Sequence, residues 1–215
     1  MRQRLDKAEF AGMFSEAAKR IREQHVHLSE LDSVAGDGDH GATMLRVAEQ
    51  LETSIRPESQ KSLRMLLKNT GWNVLGVDGG ASSAIIGTFF SGMGDAEIGD
   101  EIDCNELAEV FEAGLCAVSR QTKAEPGDKT MMDSLVPAVS AIRSAASMGK
   151  AIDEALDEAA MAARRGAEST TKLTAKFGRA KHLGEKTRGH ADAGAVSIAL
   201  LFAGFSAAVT NERNM

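Results

Sequence analysis

Apolar positions recur along this chain at spacings of three and four. Phe10, Met13, Phe14, Ala17 and Ile21 trace one such stripe, which predicts an amphipathic first helix. Patterns rich in Ala, Leu, Met, Glu, Lys and Arg predict further helices over 41–55, 59–75, 83–93, 105–120, 130–147, 150–171 and 193–210. Period-two alternation of β-branched residues is scarce, so strands are not expected. Pro57 and Pro126 sit in connections. Pro137 falls inside the sixth pattern, where it should kink the helix or mark a late start. Eight helices with short joins predict an all-α, antiparallel up-and-down bundle.

That topology gives the glycine-rich segments a common address. "GDGDHG" joins helices one and two, "GVDGGASS" three and four, "KAEPGDKT" five and six, and "KFGRAKHLGEKTRGHADAG" seven and eight. In an up-and-down bundle these alternate junctions fall at one end. The junctions near 56–58, 94–104 and 148–149 fall at the other and carry plainer chemistry.

Composition narrows the classes of function. The chain has 215 residues, enough for a sizeable core, and its 43% hydrophobic and 26% charged content marks a globular protein. A net charge of -6 argues against general nucleic-acid binding, and 4% aromatics without any Tyr argue against base-stacking platforms. Cys104 and Cys116 form no C-x-x-C pair, and the charged N-terminus has no apolar run behind it. A reducing cytoplasm is the expected setting. The uncharged run 193–209 has the composition of a short membrane span, but it lacks basic flanks and is read as a buried core helix.

"LDSVAGDGDHG" (31–41) gathers Asp32, Asp37 and Asp39. Two carboxylates about 4 Å apart repel by roughly 4 kcal/mol at an effective dielectric of about 20. Either water separates them, as in a solvated helix-capping loop, or a cation sits between them. The spacing is not that of an EF-hand, and hard oxygen ligands in this number suit Mg²⁺. His40 on its own reads as a capping or satisfied loop histidine. "VDGGASSA" (77–84) sets glycines and Ser82 at a helix start, either a plain cap or an anion site built from backbone N–H groups. "EPGDKTM" (125–131) is a turn and cap from which Lys129 could reach a phosphate. Residues 171–190 hold Lys172, Lys176, Arg179, Lys181, Lys186 and Arg188 against Glu185 alone, either an electropositive cover for an anion or a solvated loop.

The four segments, in order, resemble the "xGDxDHG", "GGAS", "EPGDKTM" and "GRAxxLGExxxGHxDPGA" motifs of the dihydroxyacetone kinase L-subunit (DhaL) family, and the resemblance spans essentially the whole chain, 1–215, as one nucleotide-binding domain. It implies an eight-helix antiparallel barrel with the nucleotide at one end. It implies that Asp32, Asp37 and Asp39 hold two Mg²⁺ ions, and that His40, Gly41, Ala42, Thr43, Ala81, Ser82, Met131, Arg179, Asp192, Ala193 and Gly194 line ADP or ATP, with Met131 near the adenine. It supplies no catalytic side chain beyond this Mg-nucleotide site. The implied partners are a ketose-binding K subunit, a phosphotransferase-system phosphocarrier where ADP is rephosphorylated in place, and a second copy of the chain in a homodimer. Neither a nucleic acid nor a membrane is among them. Two departures fall in the last segment: Ala193 stands where the family has Pro, and Lys181-His182 where Ser-Tyr is common. They leave open another small ketose such as erythrulose as acceptor. A nucleotide-sensing regulatory module and a metal-dependent hydrolase are the rival classes.

Overall fold

In the computed structural model, residues 2–56 and 62–211 are described. The eight expected helices are present: α1 (Lys7–Ser33), α2 (His40–Ser54), α3 (Leu63–Leu75), α4 (Gly80–Met93), α5 (Cys104–Gln121), α6 (Met132–Ser147), α7 (Ile152–Ser169) and α8 (Ala193–Asn211). Local chemistry sets several starts. Asp6 caps α1 by accepting from the Glu9 N–H at 2.9 Å, and Glu9 reaches back to the Asp6 N–H at 2.7 Å. Asp103 and Glu106 repeat this reciprocal cap at α5. Ser62 caps α3, so that helix starts at Leu63; Pro57 and positions 59–61 lie outside the described residues.

Three expectations change. Leu5–Asp6 (β1) pairs antiparallel with Glu101–Ile102 (β2), Leu5 opposite Ile102. Strands of two residues are too short to show alternation, and both apolar members are fully buried. The helix expected over 150–171 stops at Ser169 and tightens into a 3-10 turn, Thr170–Lys172. Nor does Pro137 mark a late start, since α6 begins at Met132. Pro137 has no N–H to give the Asp133 carbonyl, and that carbonyl lies against Gly166 of α7, where a Cβ would overlap it.

Each helix packs on the next in sequence, and α8 packs on α1, so the eight close into a ring. Seven of the eight phenylalanines fill its interior and are essentially inaccessible. Phe14 meets Phe90 at 5.1 Å between ring centroids, Phe89 meets Phe111 at 5.9 Å, and Phe111 meets Phe202 at 5.7 Å, tying α1, α4, α5 and α8 together. Each such pair adds about 1 kcal/mol beyond its buried area. The apolar run of α8 is long enough to cross a bilayer, but Ile198, Leu201, Phe202, Phe205 and Val209 are buried in this core. Only Phe177 is left outside the core, 38% exposed at the rim described next.

The ring sorts helix ends by parity. The odd helices start together: β1 precedes α1 and β2 precedes α5, the Ile152 N–H bonds Arg2 O at 2.9 Å, and the Leu63 N–H bonds Asp100 Oδ1 at 2.7 Å. The even helices start at the opposite rim, where His40, Ala81, Met132 and Ala193 line one cavity. The four glycine-rich segments therefore share an end, as the topology requires.

Candidate functional site

The rim begins with the end of α1. Asp32 is held by its own loop: the Gly38 N–H donates to Asp32 Oδ2 at 2.9 Å, and Gly38 takes φ 77°, a left-handed turn that glycine allows. A Cβ at Gly36 would overlap the Asp32 carboxylate. One oxygen each from Asp32, Asp37 and Asp39 lies within 4.8 Å of the others. Arg179, from the α7–α8 connection, pairs with Asp37, and its Nη2 is 3.9 Å from Asp39 Oδ1. The guanidinium holds the Asp37 carboxyl below the usual range. Desolvation, then repulsion from Asp37, pushes Asp39 up. One arginine thus leaves part of the cluster's negative charge unbalanced. Three hard oxygen donors without sulfur fit a divalent cation such as Mg²⁺.

His40 is not a fourth ligand. It is 6% exposed, with Nε2 at 2.7 Å from Ser197 Oγ on α8 and Nδ1 at 3.2 Å from Ser82 Oγ on α4. Burial lowers its pKa, so the ring is a neutral tie between three helix starts. Both ring nitrogens are partnered, and the ring also lines the cavity described below. Helix α4 starts with no side-chain cap, leaving the N–H groups of its first turn to face outward near Ala81 and Ser82.

The turn before α6 is organised from below. Asp133 accepts from the Gly127 N–H at 2.6 Å and the Thr130 N–H at 2.8 Å. Lys129 adopts φ 61°, the one non-glycine residue with positive φ among the described residues, and is buried. Its Nζ donates to the Thr170 and His190 carbonyls, each at 2.6 Å. The sequence offered Lys129 to a phosphate; the structure commits two of its three N–H groups to the two ends of the connection between α7 and α8.

That connection covers the site. Its second half, Arg179–Thr187, is 3-10 in character and broken at Gly184. Of its six basic residues only Arg179 lines the cavity. Lys176 pairs with Asp128 at 2.7 Å and Arg188 with Glu185 at 3.1 Å. The electropositive cover narrows to one arginine.

Between these segments lies a cavity of about 320 Å³, within the range of small-ligand sites. Of the residues singled out in the sequence, Asp32, His40, Ala81, Ser82, Met131, Arg179, Asp192, Ala193 and Gly194 line it. Asp37 and Asp39 sit at its edge through Arg179. Gly41, Ala42 and Thr43 do not line it. Gly41 seats α2 on α1, where a Cβ would overlap the His25 carbonyl; Ala42 is exposed; Thr43 is buried beside Gly79. The sequence reading missed Phe177, Ile85 and Met132, which add apolar wall, because isolated apolar residues near helix ends carry no periodic signal.

Asp192 closes the floor. Its Oδ2 accepts from the Ala195 N–H at 2.8 Å, capping α8, and burial pushes its carboxyl up to about 6. The folded protein therefore holds this proton more tightly than the unfolded chain. Its contribution to stability is fully present below about pH 4 and is lost as pH rises through about 6. In Asp192→Asn, which keeps a capping oxygen, that component should vanish. The measurement is the difference in unfolding free energy between the two proteins across this window; a constant difference would contradict the assignment.

Compared with known proteins, residues 34–207 match the DAK2 domain. The PEP-dependent dihydroxyacetone kinase, ADP-binding subunit DhaL, of Escherichia coli is 38% identical over 80% of this chain and 82% of its own length. The L-erythrulose kinase of Pectobacterium atrosepticum is 34% identical over 87% of this chain, which spans 32% of that longer protein. The dihydroxyacetone kinase of C. freundii, solved with AMP-PNP and Mg²⁺, superimposes with a TM-score of 0.73 at 25% identity, over 96% of this chain and 35% of the larger one.

Proposed function

The chain belongs to the DAK2-domain family of DhaL subunits, and from that premise we propose that residues 1–215 act as the nucleotide-holding, phosphoryl-transferring subunit of a dihydroxyacetone-type kinase in the cytoplasm. The observation that carries this is the convergence of the three-carboxylate cluster, the uncapped start of α4 and Arg179 around one cavity. Asp32, Asp37 and Asp39 would hold Mg²⁺, two ions by family likeness. Bound there, the cation offsets charge on the nucleotide phosphates.

The chain's own residues do the positioning. Backbone N–H groups at Ala81 and Ser82 meet phosphate oxygens at the positive end of α4. With Asp37 and Asp39 taken up by the cation, Arg179 would be released for a phosphate. Met131 and Phe177 give the base an apolar wall, and Asp192, Ala193 and Gly194 shape the floor. Phosphoryl transfer depends mainly on such positioning and charge stabilisation. The ketose is held by a separate K subunit, and the phosphoryl group comes from ATP or from a phosphocarrier that recharges bound ADP. The likeness to an L-erythrulose kinase keeps erythrulose beside dihydroxyacetone as acceptor.

The full chain, mixed with candidate K-type subunits, Mg²⁺, and ATP or a charged phosphocarrier, should phosphorylate a small ketose only when all components are present. Tight Mg-ADP binding with no transfer to any ketose would favour a nucleotide sensor instead. Substantial ATP hydrolysis by the chain alone would favour a hydrolase.

A further inference from the structure

Ser197 lies in the second turn of α8, inaccessible to solvent and 157 positions from His40 in sequence. Its Oγ is 3.1 Å from the Ala193 carbonyl, the four-back bond common in helical serines, and 2.7 Å from His40 Nε2. A hydroxyl has one proton to give. With that proton on the Ala193 carbonyl, Ser197 meets His40 as an acceptor, and Nε2 carries the hydrogen. A neutral imidazole protonated at Nε2 has a bare Nδ1. Among the described residues the hydroxyl bonded there is that of Ser82, 3.2 Å away. Its proton is thereby turned inward, and its lone pairs are left toward the cavity that Ser82 lines.

We propose that Ser197 is a positioning residue of the nucleotide site: by accepting from His40 it fixes the Nε2–H tautomer, and through that ring it turns Ser82 so that its oxygen, not its proton, meets the ligand. Phosphate oxygens bound as Mg-nucleotide carry no proton for such an oxygen. They are met by backbone N–H groups, while Ser82 Oγ receives a hydrogen-bond donor, a hydroxyl or a cation-bound water. This consequence rests on the Mg-nucleotide reading above; the tautomer does not.

The test uses the full chain labelled with ¹⁵N-histidine at about pH 8, where an ordinary histidine is neutral. Without nucleotide, the wild-type His40 resonances should show a protonated Nε2 and a bare Nδ1. Ser197→Ala, checked for wild-type thermal unfolding, should give a tautomer mixture. The same variant should bind Mg-ADP about fivefold more weakly, the scale of one hydrogen bond. In a Ser82→Ala background Ser197→Ala should cost nothing further. A wild-type His40 protonated at Nδ1 overturns the proposal without any variant, so it stays decidable if Ser197→Ala does not fold. An unchanged tautomer in Ser197→Ala, or losses that simply add with Ser82→Ala, overturns it too. Wild-type protein that fails to bind Mg-ADP sinks the nucleotide reading instead, and the tautomer still decides the positioning role.

Discussion

Replacing Asp37 by asparagine is expected to weaken Mg-ADP binding by about 100-fold or more. Loss of an outer-shell partner of a metal ligand already costs about 10- to 100-fold in affinity, and here the ligand itself would lose its charge. An opposing effect must be weighed. In the free protein Asp37 is paired with Arg179, and Asp37→Asn releases that arginine for the phosphates. Exposed ion pairs contribute about 0–1 kcal/mol, whereas a 100-fold loss is about 2.7 kcal/mol, so the lost ligand charge dominates. Both side chains are exposed, so thermal stability should stay near wild type. Calorimetric titration with Mg-ADP, and with ADP in excess chelator, checks this. If affinity is unchanged in the variant and indifferent to chelator, the acidic loop is a solvated cap and not a cation site.

Lys129→Met is expected to damage stability and site together. Methionine keeps the length and apolar stem of lysine but cannot donate. The carbonyls of Thr170 and His190 would each lose a 2.6 Å bond from a buried ammonium. An acceptor left unpaired in the interior costs roughly 1–3 kcal/mol, so a loss of about 2–5 kcal/mol is expected. Asp192 would also lose a favourable positive neighbour, moving its carboxyl further up. The two carbonyls sit at either end of the connection over the cavity, so its amides should exchange faster in the variant, and nucleotide affinity should fall with them. Denaturant unfolding and amide exchange over 173–191 are the measurements. Stability within about 0.5 kcal/mol of wild type, with unchanged exchange, would falsify the clamp.

The stripe from Phe10 to Ile21 and the equivalent stripes after it were legible because burial on one helical face leaves a three-and-four spacing in any sequence. The common address of the glycine-rich segments was legible too, since alternation alone puts them at one end. The partners of Lys129 were not legible for a physical reason: they are backbone carbonyls at 170 and 190, and a carbonyl leaves no mark in composition. Ser197 was invisible because its role depends on a ring in α2 brought near only by the fold. Gly41 and Thr43 illustrate the converse. They lie beside the acidic loop in sequence, but the first helical turn carries them toward α1 and Gly79, away from the cavity.

The closed ring also governs how the protein is made. Helices that pack on their sequence neighbours form from local contacts, which favours rapid assembly. Closing the ring is different, because α8 must find α1 across nearly the whole chain. The pairs that define the site straddle this closure: Arg179 with Asp37, 142 positions apart, and Ser197 with His40, 157 apart. A folding chain can therefore hold most of its helical packing before its site exists, and the docking of α8 on α1 completes both. A ligand that binds only the finished rim draws the closing equilibrium forward by mass action, so under the proposed function nucleotide would be a folding partner of this chain as well as a reactant.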